Sequence, residues 1–95
     1  MDEQTHERVR ELIAAIPEGR VATYGDIANA AGLSTPRIVG RILREDGSDL
    51  PWHRVLGAQG KPSPELSSTQ LALLRAEGVE TGEGWVDIER YRWQP

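Results

Sequence analysis

Apolar residues near the amino end recur at the spacing of one face of an α-helix. The positions at i, i+3, i+4 and i+7 are Val9, Leu12, Ile13 and Ile16. This periodicity predicts an amphipathic first helix whose apolar stripe faces the core. We expect Thr5 to cap its amino end and the run Pro17-Glu18-Gly19 to end it.

Two more helices, joined by a short turn, are predicted between residues 23 and 44. Thr23 is a suitable N-cap, and Asp26, three residues later, supplies the acid of a capping box. Gly32 suits the left-handed residue that closes a helix. A third helix is expected over about 36–44, with Thr35 as N-cap and a proline at its first position. Two short helices connected in this way are typical of a helix-turn-helix.

The segment after these helices predicts a small wing. Arg54-Val55-Leu56, a glycine-bounded turn over 57–60 and Lys61 have the pattern of a short hairpin. Pro62-Ser63-Pro64 then predicts a rigid loop, because two of its three residues have a fixed φ.

A last helix and a docked tail complete the prediction. Ser67 or Ser68 is expected to cap a helix that runs through Glu77, and Gly78 is expected to close it. The inward positions of this helix are Leu71 and Leu74. The tail holds too much apolar surface for a free segment; its apolar residues are Trp85, Val86, Ile88, Tyr91 and Trp93. The elements predict one mainly α domain over residues 1–95.

Size and composition narrow the possible functions. A domain of 95 residues has limited room for a deep active site, so we expect a shallow pocket. The chain has no cysteine, which removes disulfides and thiolate metal sites. His6 and His53 are too far apart in sequence to indicate a metal site, and we expect no cofactor. The sequence shows neither a membrane span nor a secretion signal, which predicts a soluble, cytoplasmic protein.

Charge is distributed unevenly along the chain. The net charge of −4 by itself argues against a nucleic-acid partner, because non-specific affinity for phosphates comes mostly from Lys and Arg. Residues 1–19 hold five acids and two Arg (−3), residues 20–61 six bases and four acids (+2), and residues 62–95 six acids and three Arg (−3). The central positive charge is either a binding surface or a solvated face.

The predicted third helix carries part of this positive charge on one stripe. The positions that share its outward face are Arg37, Gly40, Arg41 and Arg44. Glycine inside a helix lowers its stability by about 1 kcal/mol relative to alanine. Gly40 therefore indicates a surface that another molecule approaches closely. The alternative is that Gly40 only relieves a contact between two helices.

Several short motifs, taken in order, carry a family resemblance. They are Ile16-Pro17-Glu18-Gly19, Thr23-Tyr24-Gly25-Asp26-Ile27-Ala28, Arg37-Ile38-Val39-Gly40, Pro51-Trp52-His53-Arg54-Val55 and Ala76-Glu77-Gly78. From about Thr5 to Gly78 the chain resembles the C-terminal, DNA-binding domain of the O6-alkylguanine-DNA alkyltransferases, a winged helix-turn-helix-like fold. It is most similar to the alkyltransferase-like proteins, in which Trp52 stands in the position of the reactive cysteine.

The resemblance implies a role in DNA binding for the helix-turn-helix. Arg37 corresponds to an arginine that enters the duplex through the minor groove and fills the gap left by an extruded nucleotide. Tyr24 corresponds to a tyrosine that crowds the adjacent phosphate. Without the resemblance, a surface salt bridge for Arg37 and a half-buried core position for Tyr24 are the simpler interpretations. The predicted DNA-binding residues are Thr23, Tyr24, Thr35, Arg37, Gly40, Arg41 and Arg44.

The resemblance also implies a lesion pocket around Trp52. The predicted lining is Tyr24, Leu43, Pro51, Trp52, His53, Arg54, Val55, Lys61, Ser63 and Glu77. An indole has no lone pair that a base could free for attack on an alkyl carbon, so alkyl transfer to Trp52 is excluded. His53 and Glu77 match residues that activate the cysteine in the alkyltransferases, and here they are expected to support the pocket wall. The loop after Lys61 is shorter and richer in proline than the family pattern, which is expected to reshape or enlarge the pocket.

Three functions follow from these observations. The first is a non-enzymatic sensor that binds O6-alkylguanine in double-stranded DNA as a monomer, flips the base and directs the site to nucleotide excision repair proteins. The second is a helix-turn-helix regulator or architectural protein, which explains the basic stripe but leaves the Trp52 motif unexplained. The third is a hydrolase or glycosylase that uses His53 and Glu77 with water, which lacks a paired carboxylate or a metal.

Overall fold

A computed structural model describes residues 3–95. Within this range the chain forms five α-helices, one 3-10 turn and a two-stranded sheet, so the mainly α prediction is confirmed. No helix in residues 3–95 has the length and apolar character needed to cross a membrane. In chain order the elements are α1 (Glu3–Ala14), β1 (Ala22–Thr23), α2 (Tyr24–Ala30), α3 (Arg37–Asp46), the 3-10 turn (Trp52–Arg54), β2 (Val55–Leu56), α4 (Ser67–Ala76) and α5 (Ile88–Tyr91).

The apolar stripe of α1 faces the core as its periodicity predicts. The stripe residues Val9, Leu12 and Ile13 are buried in the helix, and Ile16 is buried just beyond its end. The prediction that Thr5 caps this helix is wrong, because α1 already includes Glu3 and Thr5 lies in its first turns. Apolar spacing identifies the buried face of a helix, while its first residue depends on backbone hydrogen bonds.

The amino end of α2 has the predicted capping box. Thr23 Oγ1 accepts a hydrogen bond from the Asp26 amide at 2.9 Å, and the Thr23 amide donates to Asp26 Oδ2 at 3.1 Å. Asp26 also accepts a hydrogen bond from Arg92 Nε at 2.9 Å, which links α2 to the tail. Two backbone amides without helical partners are thereby satisfied in a buried position.

Replacing Thr23 by alanine is expected to lower the free energy of unfolding by about 1 kcal/mol, because the Asp26 amide loses its acceptor. Urea denaturation at neutral pH measures the change. Thr69→Ala is the control, since Thr69 is exposed within α4 and caps no helix. An equal effect of the two substitutions would contradict the capping role.

The recognition helix of the predicted helix-turn-helix is α3. It begins at Arg37 and ends at Asp46, so it starts one residue later and ends two residues later than predicted. The prediction that Thr35 is its N-cap is wrong, because Pro36 takes that position and α3 has no side-chain capping hydrogen bond. Thr35 Oγ1, one residue before the N-cap, still accepts a hydrogen bond from the Arg37 amide at 3.2 Å. Buried Val39 and Ile42 hold α3 against the core and leave its basic stripe outside.

The predicted hairpin around Lys61 is wrong. Strand β2 pairs in parallel with β1, with Ala22 opposite Val55, and Lys61 lies in no strand. A tight turn follows β2, in which the Gly57 amide donates to the Lys61 carbonyl at 2.9 Å. The Gly60 carbonyl then accepts from the amide of Val86, 26 residues further along the chain. Strands of two residues contain too little pattern to identify such distant partners.

Helix α4 begins at Ser67, with Leu66 at its N-cap and no side-chain capping hydrogen bond. The prediction that Ser67 or Ser68 caps it is therefore wrong, because Ser67 is already inside the helix. The helix ends at Ala76, one residue earlier than predicted, and Glu77 is its C-cap. Gly78 follows with a φ of +90°, the left-handed conformation expected of the residue that closes the helix. The inward-facing residues Leu71 and Leu74 are buried.

The tail docks on the body of the domain, as its apolar residues predict. The Val21 amide donates to the Tyr91 carbonyl at 3.0 Å, and the Trp93 amide donates to the Val21 carbonyl at 2.7 Å. Val86 is buried in the same core cluster as Val21. Trp85 is the exception among the tail's apolar residues, because it remains 45 % exposed.

Candidate functional site

A cleft with a volume of about 970 Å³ lies beside the exposed face of α3. Two segments supply most of its lining: α3 with the residues just before it and after it, and the chain from 63 to 70. Tyr24 and Trp52 also line it. The complete lining is Tyr24, Thr35, Pro36, Arg37, Gly40, Leu43, Arg44, Gly47, Trp52, Ser63, Glu65, Leu66 and Gln70.

The α3 wall combines positive charge with a small residue. Arg37 and Arg44 are exposed at the cleft, and Gly40 lies between them in the sequence. A Cβ added at Gly40 would meet only Tyr24 Cε1, at 3.9 Å, which is an ordinary van der Waals contact. Packing between helices therefore does not require glycine here. This supports the interpretation that Gly40 lets another molecule approach α3 closely. Arg41 lies outside the cleft lining, and its Nε is 3.4 Å from Glu45 Oε1.

Tyr24 connects the α3 wall to the interior. It is the first residue of α2, half-buried, and it packs against the core cluster that includes Val39. Burial raises the pKa of Tyr24 above its ordinary value, against a smaller lowering effect of the Arg44 charge. The phenol therefore stays protonated at neutral pH and can donate a hydrogen bond into the cleft.

Trp52 is held by the 3-10 turn and by α4. The rings of Trp52 and His53 meet edge to face, with centroids 6.1 Å apart. Gln70 Nε2 donates to the carbonyl of His53 at 3.0 Å and to that of Val55 at 2.8 Å, and Gln70 is only 2 % exposed. Sequence reasoning missed Gln70; its only signal is a polar residue beside Leu71 on the buried face of α4.

Glu77 lies at the centre of a hydrogen-bonded network behind the cleft. Its carboxylate is 2.6 Å from His53 Nε2 and 2.7 Å from an Arg54 terminal nitrogen, and it accepts from the Gly19 amide at 2.9 Å. Arg54 also donates to the Ile16 carbonyl at 2.9 Å. The network therefore joins the chain after α1, the turn that carries Trp52 and the end of α4.

The chemistry of Glu77 is that of a permanent anion. Burial acts to raise its pKa, but hydrogen bonds from Arg54, the Gly19 amide and His53 lower the pKa to about 2. An effective general base has a pKa near the working pH, so this carboxylate is a poor proton acceptor in neutral solution. This argues against the hydrolase or glycosylase hypothesis.

The structure divides the predicted site residues into two groups. Those that line the cleft are Tyr24, Thr35, Arg37, Gly40, Leu43, Arg44, Trp52 and Ser63. Those outside its lining are Thr23, Arg41, Pro51, His53, Arg54, Val55, Lys61 and Glu77. The cleft residues that sequence reasoning missed are Pro36, Gly47, Glu65, Leu66 and Gln70. Within residues 3–95 no three His, Cys, Asp or Glu side chains form a group that could hold a metal ion.

Comparison with known proteins identifies the family. Residues 4–79 match the DNA-binding domain of 6-O-methylguanine DNA methyltransferase. The chain is 49 % identical over 94 residues to a DNA base-flipping protein of Escherichia coli, an alignment that covers 92 % of this chain and 72 % of the relative. It is 35 % identical to alkyltransferase-like protein 1 of Schizosaccharomyces pombe, with 100 % of this chain and 98 % of that protein covered. This chain belongs to the alkyltransferase-like proteins.

The three-dimensional match supports the same assignment. A crystal structure of the S. pombe alkyltransferase-like protein, in complex with damaged DNA containing O6-carboxymethylguanine, matches with a TM-score of 0.88 at 29 % identity. The match covers 100 % of this alkyltransferase-like chain and 99 % of that one. The mainly α fold of the C-terminal domain of the alkyltransferases and the family resemblance, both predicted from the motifs, are therefore confirmed, although the wing lacks the predicted hairpin.

One difference separates this alkyltransferase-like protein from the alkyl-transferring branch of the family. A methylated-DNA–protein-cysteine methyltransferase of Archaeoglobus fulgidus is 36 % identical over 81 residues, covering 76 % of this chain and 54 % of that protein. The name of that relative specifies a cysteine as the methyl acceptor, and this chain has no cysteine.

Proposed function

We propose that this protein binds O6-alkylguanine in duplex DNA, rotates the damaged nucleotide into the cleft beside α3, and releases it chemically unchanged. The observation that carries the proposal is the continuity between the basic face of α3 and a cleft of about 970 Å³ lined by Tyr24 and Trp52. This volume is within the range of about 300–1,000 Å³ that is usual for sites that enclose a small molecule.

Each side chain at the cleft has a physical role in this proposal. Arg37, at the start of α3, enters the duplex and fills the space of the extruded nucleotide, and Gly40 lets the helix approach the narrow minor groove. Flipping costs a few kcal/mol, and it costs least for a damaged base that pairs badly. Trp52 offsets part of this cost by stacking or packing on the unstacked base.

The absence of a nucleophile makes the complex non-covalent. The chain has no cysteine, the Trp52 indole cannot attack an alkyl carbon, and Glu77 is too weak a base to activate water. Mass spectrometry of the protein and the DNA after incubation with O6-methylguanine duplex is expected to show both masses unchanged. A methyl group on the polypeptide, or a released base, would contradict the proposal.

Because the lesion is not removed, the protein serves as a marker for other proteins. We therefore also propose that the bound site is handed over to nucleotide excision repair proteins. The protein is expected to bind as a monomer and to be located with the cytoplasmic DNA of the cell. Size-exclusion chromatography of the DNA complex tests the monomer. Capture of excision proteins on lesion duplex, with and without this protein, tests the handover.

Replacing Arg37 by alanine is expected to weaken binding to an O6-methylguanine duplex about tenfold or more, because the flipped state loses the side chain that fills the gap. Binding to the matched guanine duplex should fall less. Titration with fluorescent duplexes measures both, and 2-aminopurine beside the lesion reports flipping.

Arg41→Ala is the matched control for Arg37→Ala. It removes the same charge from the same helix, but Arg41 lies outside the cleft lining. We expect it to weaken both duplexes equally and to leave the flipping signal intact, with an effect that fades as salt increases. If the wild type prefers a DNA sequence and not the lesion, the protein is a helix-turn-helix regulator and the proposed function is wrong.

A further inference from the structure

The cleft contains one negatively charged residue, Glu65, whose chemistry the proposed function does not use. It lies in the short loop between Lys61 and α4 and is exposed at the cleft. The other charged lining residues are Arg37 and Arg44, both supplied by α3. Among residues 3–95 no cation is within ion-pair distance of the Glu65 carboxylate, so its charge remains available to a ligand.

A second residue, Gln70, adds no free amide donor to the same part of the lining. Both amide hydrogens of Gln70 are used, because Nε2 donates to the carbonyls of His53 and Val55. Its remaining polar atom, Oε1, only accepts hydrogen bonds. The segment from 63 to 70 therefore brings one carboxylate, that of Glu65, to the cleft lining, and the Ser63 hydroxyl is a side-chain donor there.

The chemistry of guanine determines which part of the ligand meets this segment. The DNA backbone is expected to follow the positive charges of α3, so the sugar of the flipped nucleotide lies on that side. O6 belongs to the six-membered ring of the purine, on the edge remote from the glycosidic nitrogen. A substituent on O6 therefore extends away from α3, toward the lining that residues 63–70 provide.

We propose that Glu65 is a specificity-determining residue that selects against negatively charged O6 substituents. This inference rests on the proposed function, because it assumes that the damaged base occupies the cleft. An anionic adduct would place its carboxylate near Glu65, whereas a neutral alkyl group meets no such repulsion. Repulsion between two negative charges about 5 Å apart weakens binding of the anionic adduct about fourfold even at the dielectric constant of bulk water. The loss of affinity is larger when the two groups are partly desolvated.

The test compares two adducts of nearly equal size. O6-carboxymethylguanine carries a carboxylate, and O6-carbamoylmethylguanine carries a neutral amide in its place. We expect the wild type to bind the carbamoylmethyl duplex at least about fourfold more tightly than the carboxymethyl duplex. Glu65→Gln should bring the ratio of the two dissociation constants close to one, and Glu65→Lys should invert it.

Glu83→Gln is the control for Glu65→Gln. It removes one negative charge from an exposed position outside the cleft lining, so it changes the net charge equally. We expect it to leave the ratio as in the wild type. Contacts to the phosphates cancel in this ratio, since both duplexes have the same phosphates.

Two outcomes separate this inference from the function on which it rests. If the wild type binds O6-methylguanine more tightly than guanine but Glu65→Gln and Glu65→Lys leave the ratio unchanged, the charge selection is wrong and the lesion binding stands. If the wild type does not discriminate O6-methylguanine from guanine, the proposed function itself is wrong. Glu65 is exposed and makes no ion pair in residues 3–95, so these variants are expected to fold.

Discussion

Replacing Glu77 by glutamine is expected to lower the free energy of unfolding at neutral pH by about 3 kcal/mol. The substitution keeps the shape of the side chain but leaves the Arg54 charge without its carboxylate, with both side chains at least 84 % buried (10 % and 16 % exposed). Domains of this size are stable by about 5–15 kcal/mol, so the loss is a large fraction. Urea denaturation followed by circular dichroism measures it.

The same substitution predicts a pH dependence. Because folding lowers the pKa of Glu77 from 4.5 to about 2, the unfolded chain binds more protons between these values. The stabilisation is therefore fully present above about pH 4.5 and is lost as the pH falls through about 2. The gap in unfolding free energy between the wild type and Glu77→Gln should be constant near neutrality and close in acid.

Glu80→Gln is the matched control for Glu77→Gln. Glu80 also forms an ion pair with an arginine, at 2.6 Å from Arg90, but its side chain is 74 % exposed. Exposed pairs contribute about 0–1 kcal/mol, so the control should change little. Equal losses for the two variants, or a gap that stays constant down to pH 2, would show that the network around Glu77 does not stabilise the fold.

Replacing Trp52 by alanine is expected to weaken binding to an O6-methylguanine duplex by about 1–3 kcal/mol, or about 5- to 150-fold. The variant loses the broad aromatic surface that the cleft offers to an unstacked base. Binding to an undamaged duplex should change much less, because those contacts depend mainly on phosphates. Fluorescence anisotropy with the two duplexes, repeated at several salt concentrations, measures the preference for the lesion.

Two further variants make the Trp52 experiment decisive. Trp52→Phe keeps an aromatic ring and should retain most of the preference, although it loses the indole N–H. Trp85→Ala removes an indole that is 45 % exposed outside the cleft lining, and it should leave the preference unchanged. If Trp52→Ala weakens the lesion duplex and the undamaged duplex equally, Trp52 has no role in holding the base.

Predictions that depend on local interactions agree best with the structure. The Thr23–Asp26 capping box joins residues three apart, and the Gly78 helix end needs only a left-handed backbone. The same reasoning misplaced the caps of α1, α3 and α4, because the first residue of a helix is decided by its backbone hydrogen bonds and not by the presence of a hydroxyl residue nearby. The wing prediction failed for another reason, since the partners of Val55 and Gly60 lie more than twenty residues away.

The cleft residues that local motifs predict differ from those that only contacts between distant segments bring to the cleft. The motifs identified Arg37 and Trp52, because each motif is contiguous. They did not identify Glu65 or Gln70, since nothing in the local pattern shows that the start of α4 lies against the 3-10 turn. His53 and Glu77 were assigned to the pocket wall, and the structure places them behind it in an ion-pair network.

The sequence by itself determined the helical periodicities, the order of the family motifs and the lack of a sulfur nucleophile, because each of these is a property of the chain read in one dimension. Only the tertiary structure decided that β1 and β2 pair in parallel, that Glu77 is a largely buried anion, and that Glu65 and a basic helix face share one cleft. These features arise from contacts between residues far apart in sequence, whose energies depend on burial and distance.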